Sequence, residues 1–188
     1  MYLRTDEELE TVDAIRMALR FAEEVRCDNT RWKWVIIALH NATQGMMVLA
    51  LKRKDRANVF SRNDADKVRV ARETRSLPPP DPYLDKFINL YDKVKLIRGA
   101  GSYFLSPELD ADDLKRLNDI RNVFIHFTPK SWSLELAGLP RFCLVATRLI
   151  AFLGWETDSV FWYSDQAAAD AREATIRLSH LLHCLANE

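Results

Sequence analysis

Glycine is scarce in this chain, with five in 188 residues, and cysteine is scarcer, with three. The few glycines form neither a phosphate-cradling loop nor a dinucleotide fingerprint. Cys27, Cys143 and Cys184 are odd in number, widely spaced and without a C-x-x-C pair. They are expected to be reduced, mostly buried thiols of a cytoplasmic protein rather than a disulfide framework. Neither sign of charge prevails: Lys+Arg and Asp+Glu are both 27. That excludes a non-specific nucleic-acid coat protein, which would be basic, and confines any RNA contact to a local patch. The start, Met1-Tyr-Leu-Arg-Thr-Asp-Glu-Glu, turns acidic at once and lacks the regions of a signal peptide. No serine or cysteine lies in a recognisable nucleophile motif, there is no internal repeat, and no alternating run is long enough for a convincing strand.

What remains is apolar material in helical register, 48% of the chain, enough for one domain spanning 1–188. Thr5-x-x-Glu8 reads as a capping box, followed by Leu9, Val12, Ile15, Leu19 and Ala22 on one face, and this predicts a first helix to about Val25. Asp28-Asn29-Thr30 restarts the chain as an N-cap cluster for a second helix over about Arg31 to Lys54. Asp81-Pro82 suits the start of a helix running to about Arg98, with Gly99, Gly101 and their neighbours as the turn after it. Ser106-Pro107 leads in the same way toward a helical run from Asp113 to Phe127. Pro129 to Pro140 reads as a loop, about Arg141 to Leu153 as another apolar helix, and Gln166 to about Leu185 as a last helix capped by Ser164 or Asp165. The class is all-α.

Trp34 to Leu51 is apolar on nearly every side, which signals full burial or a membrane span. Its length approaches the ~20 residues a span needs. His40, Asn41, Thr43 and Gln44 interrupt its middle, where polar groups in a bilayer are costly. The expectation is the central helix of a bundle, not a membrane segment. His40, Asn41 and Gln44 fall within about 100° of arc. They form either a satisfied internal network or a girdle that helps hold substrate.

The stretch from about 55 to 80 is the expected insertion or loop, basic and mobile. From Lys52 to Arg75 there are Lys52, Arg53, Lys54, Arg56, Arg62, Lys67, Arg69, Arg72 and Arg75 against Asp55, Asp64, Asp66 and Glu73. The excess is either an electrostatic landing strip for phosphates or a solvated helix and loop. Pro78-Pro79-Pro80 then blocks helix continuation. His180-x-x-His183 with Cys184 puts two imidazoles on adjacent turns, but a leucine-rich setting and the lack of an acidic cluster favour a structural role over a metal. No cofactor or metal is implied.

The sharpest stretch is Arg121-Asn-Val-Phe-Ile-His126. Leu114, Leu117, Ile120, Phe124 and Phe127 form an apolar stripe, and Arg121 falls roughly 20° from Leu114, inside it. Asn118, Asn122 and His126 make a polar row beside it. Arg121 and His126 point roughly 140° apart, so they converge on one ligand only through the long arginine arm or through a second copy of the helix. The bland alternative pairs Arg121 with a carboxylate at a helix seam and leaves His126 to cap carbonyls.

Asn118-Asp-Ile-Arg-Asn-Val-Phe-Ile-His126 resembles the RNase-type motif of the HEPN superfamily, an Arg, a polar residue and a later His. Phe127-Thr-Pro-Lys-Ser-Trp-Ser-Leu-Glu135 looks like an extension seen in bacterial HEPN-like proteins. The resemblance implies an antiparallel helical bundle, a homodimer, and a metal-independent endoribonuclease or RNA-binding relative. Arg121 and His126 would be the catalytic pair, with Asn122 in the supporting polar position. Asn118, Lys130, Trp132, His40, Asn41 and Gln44 are the candidates for holding substrate. In that chemistry a ribose 2′-OH attacks the adjacent phosphate, His126 moves the proton and Arg121 stabilises the charge on the phosphate. The alternative class is a non-catalytic helical binding or dimerisation module, nucleotide-sensing or paired with an antitoxin or a nucleotidyltransferase-like partner protein.

Overall fold

A computed structural model describes residues 2–77, 81–99, 108–126, 129 and 131–188. Among them are seven α-helices: α1 (Glu7–Glu24), α2 (Arg31–Lys54), α3 (Arg62–Glu73), α4 (Phe87–Val94), α5 (Glu108–Ile125), α6 (Leu139–Ala151) and α7 (Asp165–Ala186). A 3-10 turn (Arg56–Val59) precedes α3, and a π turn (Phe152–Glu156) continues α6. The all-α class is as the periodicity predicts. Lys130, Phe127, Gly101, Ser106-Pro107 and Pro78 to Pro80, all given roles above, lie outside the described residues.

α2 is the axis of the bundle. It packs against α1, α4, α5 and α6, so apolar residues all round it find a neighbour. Val35, Ile36, Leu39, Met46, Met47 and Leu49 are fully buried. The helix is long and apolar enough by composition to cross a membrane, and two-thirds of its most apolar stretch is buried within the bundle. Gly45 is where α1 comes closest: a Cβ there would sit 2.2 Å from Thr11 Oγ1.

α1 begins differently from the predicted box. Asp6, not Thr5, is the N-cap; its carboxylate accepts from the amides of Glu8 and Leu9 at 2.9 Å each. Glu8 is thereby freed for a distant task. It is buried, and its carboxylate accepts from the amides of Tyr163 (2.7 Å) and Ser164 (3.2 Å) at the entry to α7. Ser164 caps α7 through Ala167.

α4 starts at Phe87, later than predicted from Asp81-Pro82. Residues 83–85 are held instead against 59–61: Ser61 donates to the Tyr83 carbonyl (2.9 Å) and Asp85 to the Val59 carbonyl (3.0 Å). The segment expected as an insertion or loop carries the 3-10 turn and the twelve residues of α3. Its C-terminus is a Schellman motif without glycine. Arg75 takes the left-handed conformation (φ 53°) and Ser76 donates to the Ala71 carbonyl. α6 begins two residues before the predicted Arg141, because Pro140 sits inside its first turn. Of the three cysteines only Cys143 is fully buried; Cys27 is exposed and Cys184 half-buried. All three are free, and burial pushes the Cys143 thiol up.

Candidate functional site

The first two-thirds of α5 is anchored more deeply than the rest, where Ile120 and Phe124 still pack on the core. Leu114 and Leu117 are fully buried. Arg141 of α6 pairs with Asp113 (3.2 Å), and the Arg116 guanidinium lies over the Phe142 ring at 5.5 Å. From Ile120 to Ile125 every residue is only half-buried. The motif therefore lies on the part of the helix that this chain leaves partly uncovered.

Arg121 falls in the apolar stripe, as its position on the wheel predicts, and among the described residues it is not locked in a salt bridge. Among the described residues its one side-chain hydrogen bond is from Nη1 to the side-chain oxygen of its neighbour Asn122 (3.1 Å). Its Nε is buried with no partner among the described residues. Hydrogen-bonding groups withdrawn from water nearly always find a partner, so an orphaned guanidinium N–H calls for an explanation.

His126 lies just past the last residue of α5, exposed. Its amide donates to the Asn122 carbonyl (3.0 Å), and among the described residues its ring has no hydrogen-bond partner. Among the described residues of one chain nothing brings it to Arg121. The imidazole nearest in effect to Arg121 is His40. It is 2% exposed, its Nε2 lies 3.2 Å from Asn118 Oδ1 across the α2–α5 seam, and its ring stacks on Phe87 of α4 (centroids 4.3 Å apart). With Asn118 accepting, Nε2 carries the proton and Nδ1 is an acceptor; that atom too is buried and has no partner within hydrogen-bond distance among the described residues. Burial, opposed by the Asn118 bond and by neighbouring Asn41 and reinforced by the charge of Arg121, lowers the His40 pKa to about 4. The site thus holds a neutral imidazole and a permanent cation, with one unfilled acceptor and one unfilled donor.

The girdle expected on α2 divides. His40 faces α5, whereas Asn41 and Gln44 line a groove of about 670 Å³ between α1 and α2, among Trp34, Ile37, Ala38 and Val48. The reason is that α2 is surrounded, so its polar residues meet different neighbours. Trp132, 41% exposed, packs on Phe124 with ring centroids 5.0 Å apart, which ties the loop after α5 to the motif helix. The structure brings together Arg121, Asn122, Asn118 and His40; it leaves His126 apart and places Asn41 and Gln44 elsewhere. Phe87 was missed, since nothing in the sequence links it to a histidine 47 positions earlier. His180 Nδ1 lies 4.0 Å from Cys184 Sγ, and no group of three or more metal-ligating side chains occurs among the described residues.

Comparison with protein families, curated proteins and solved structures finds no match for this chain, and the functional reading below stands on its own residues.

Proposed function

We propose that this chain is an RNA-cleaving or RNA-binding domain of the HEPN type, acting as a homodimer at the exposed end of α5. The observation that carries this reading is Arg121, a half-buried guanidinium with an orphaned Nε and no carboxylate partner among the described residues. A purely structural arginine at a helix seam would be paired, because an uncompensated buried charge is strongly destabilising. An anion from outside the chain meets the need, and a phosphate fits the fork of the guanidinium. The partly uncovered surface from Ile120 to Ile125 gives a second copy a place to dock. Two copies meeting there would supply a His126 on each side of one phosphate, one as base and one as acid. Arg121 stabilises the charge that gathers on the phosphate, and Asn122, already bonded to it, holds its orientation.

A second reading has its own observation. Among the described residues the His126 ring has no group to orient it, and a general base is normally held by a third residue. The same site would then bind RNA, or be covered by an antitoxin or nucleotidyltransferase-like partner, without turnover.

An RNase assay with Arg121→Ala and His126→Ala separates these. Catalysis requires cleavage of single-stranded RNA in excess chelator, 2′,3′-cyclic phosphate ends, no action on DNA, and loss of activity in both variants. For the exposed His126 the melting temperature should not move. Binding without cleavage by the unaltered protein selects the second reading. Activity retained in both variants, or lost with chelator and restored by magnesium, overturns the catalytic assignment.

A further inference from the structure

A second site lies at the other end of α2, about 18 Å along the axis from His40 to Lys52. It starts from a pattern in the sequence. Along Val160-Phe161-Trp162-Tyr163 burial alternates from residue to residue. Val160 is buried and Trp162 stacks on Trp155 (centroids 5.7 Å apart). Phe161 and Tyr163 are turned outward, 63% and 68% exposed, edge to face at 5.6 Å. Two adjacent rings left in water form an exposed apolar patch of the kind that marks a binding surface.

These rings border a groove of about 720 Å³ whose other walls are Lys52, Arg53, Arg56, Phe60, Val59 and Leu84. Its charge is not self-cancelling. Glu7 also lines it, but is taken by Lys52, which lies 5.0 Å from the Tyr163 ring centroid and covers one face. Arg53 and Arg56 are exposed and have no hydrogen bond or ion pair among the described residues. Several basic residues farther along the chain differ: Lys67 is matched by Asp64, Arg69 by Asp55 and Asp66, and Arg72 by Asp55, while Arg62 and Arg75 are exposed and away from the rings. Two free cations, Arg53 and Arg56, therefore share one groove with the open rings. Arg56 and Phe60 also line an adjoining groove of about 450 Å³, so the track continues past a single ligand-sized pocket.

We propose that this groove binds a single-stranded RNA segment, with bases stacked on Phe161 and Tyr163 and phosphates held by Arg53 and Arg56. Aromatic platforms beside a cationic track are the physical requirements of single-strand binding. A duplex keeps its bases stacked on one another and offers the rings nothing. The choice of RNA over DNA rests on the function proposed above; the single-strand site does not.

The test is fluorescence anisotropy with a short labelled single-stranded oligoribonucleotide, its duplex form, and a polyphosphate competitor, in a His126→Ala background that prevents turnover. Arg53→Ala with Arg56→Ala should weaken single-strand binding about tenfold and reduce the slope of log affinity against log salt by about 1.4, the value for two phosphates on a single strand. Phe161→Ala and Tyr163→Ala should each weaken it at least fivefold with the slope unchanged, while Tyr163→Phe retains affinity. All sites are exposed, and unchanged thermal melts confirm folding. Equal affinity for duplex and single strand, or no effect of the ring substitutions, overturns the proposal. So does polyphosphate displacing the strand equally well from the ring variants and their parent. If the arginine and ring variants bind normally while His126→Ala abolishes cleavage, this site falls and the α5 reading stands. The reverse pattern leaves this site standing and removes that reading.

Discussion

His40 makes the stability of this fold depend on pH in a window where little else in the core titrates. The ring is withdrawn from water and faces the Arg121 charge, and its pKa falls from the ordinary 6.5 to about 4. In the unfolded chain the same imidazole titrates normally. As pH falls, the unfolded state therefore takes up this proton first. The stabilisation is whole above pH 6.5 and is lost progressively as pH falls toward 4. A gap of about 2.5 pH units, at about 1.36 kcal/mol each, sets an upper value of about 3 kcal/mol. Between pH 7 and pH 5 the expected loss is about 2 kcal/mol, or roughly 5 °C in melting temperature for a chain of this size. Carboxylates held low, such as Asp55 by Arg72 and Asp64 by Lys67, respond below that window. Urea unfolding at pH 7 and pH 5 for the parent and for His40→Gln measures it. Glutamine keeps an amide donor for Asn118 and does not titrate, so the difference between the two pH slopes belongs to His40. Identical slopes would mean that the ring is hydrated or already charged, and would refute this account of the α2–α5 seam.

The other expectations concern the frame that holds the site. Glu8→Ala removes the acceptor of two backbone amides at the entry to α7 and should lower stability by about 3 kcal/mol in urea titration. Gly45→Ala should destabilise by about 1–3 kcal/mol despite the better helix propensity of alanine, because its Cβ meets Thr11 Oγ1. The effect should shrink in a Thr11→Ala background, as calorimetry can show. Arg75→Gly should raise stability by up to about 1 kcal/mol, since glycine adopts the left-handed cap conformation without strain. Light scattering over a dilution series should show a dimer, and a monomer persisting at high micromolar concentration would count against docking through α5.

Elements governed by local chemistry were legible in the sequence. The bounds of α2 follow from Asp28-Asn29-Thr30 and from the apolar run that precedes the basic Lys52-Arg53-Lys54. The placement of Arg121 within the apolar stripe of α5 follows from the 3.6-residue period alone. What escaped depends on distant partners. Asp81-Pro82 is a sound helix start taken by itself, but residues 83–85 hydrogen-bond to 59–61, and the helix waits until Phe87. The end of α3 was unreadable because the left-handed position holds arginine rather than glycine. The contact of His40 with Asn118 spans 78 residues, and composition cannot say which side of an all-round apolar helix each polar residue faces. The outward turn of Phe161 and Tyr163 had a signal, a four-residue alternation too short to count as a strand.

The reach of the Glu8 carboxylate has a consequence for the order of assembly. Its partners at Tyr163 and Ser164 are 155 and 156 residues away. During synthesis from the N-terminus, α1 and α2 are made early, but the acceptor groups of Glu8 stay unmatched until almost the whole chain has left the ribosome. Contacts of such separation require most of the loop entropy to be given up before any return. Until then α1 lacks its neighbour α7, and before α6 is made α2 too has only part of its surroundings, so apolar faces stay open to other chains. The growing protein should therefore be most prone to aggregation, and most dependent on chaperones, in the interval between completion of α2 and arrival of α7.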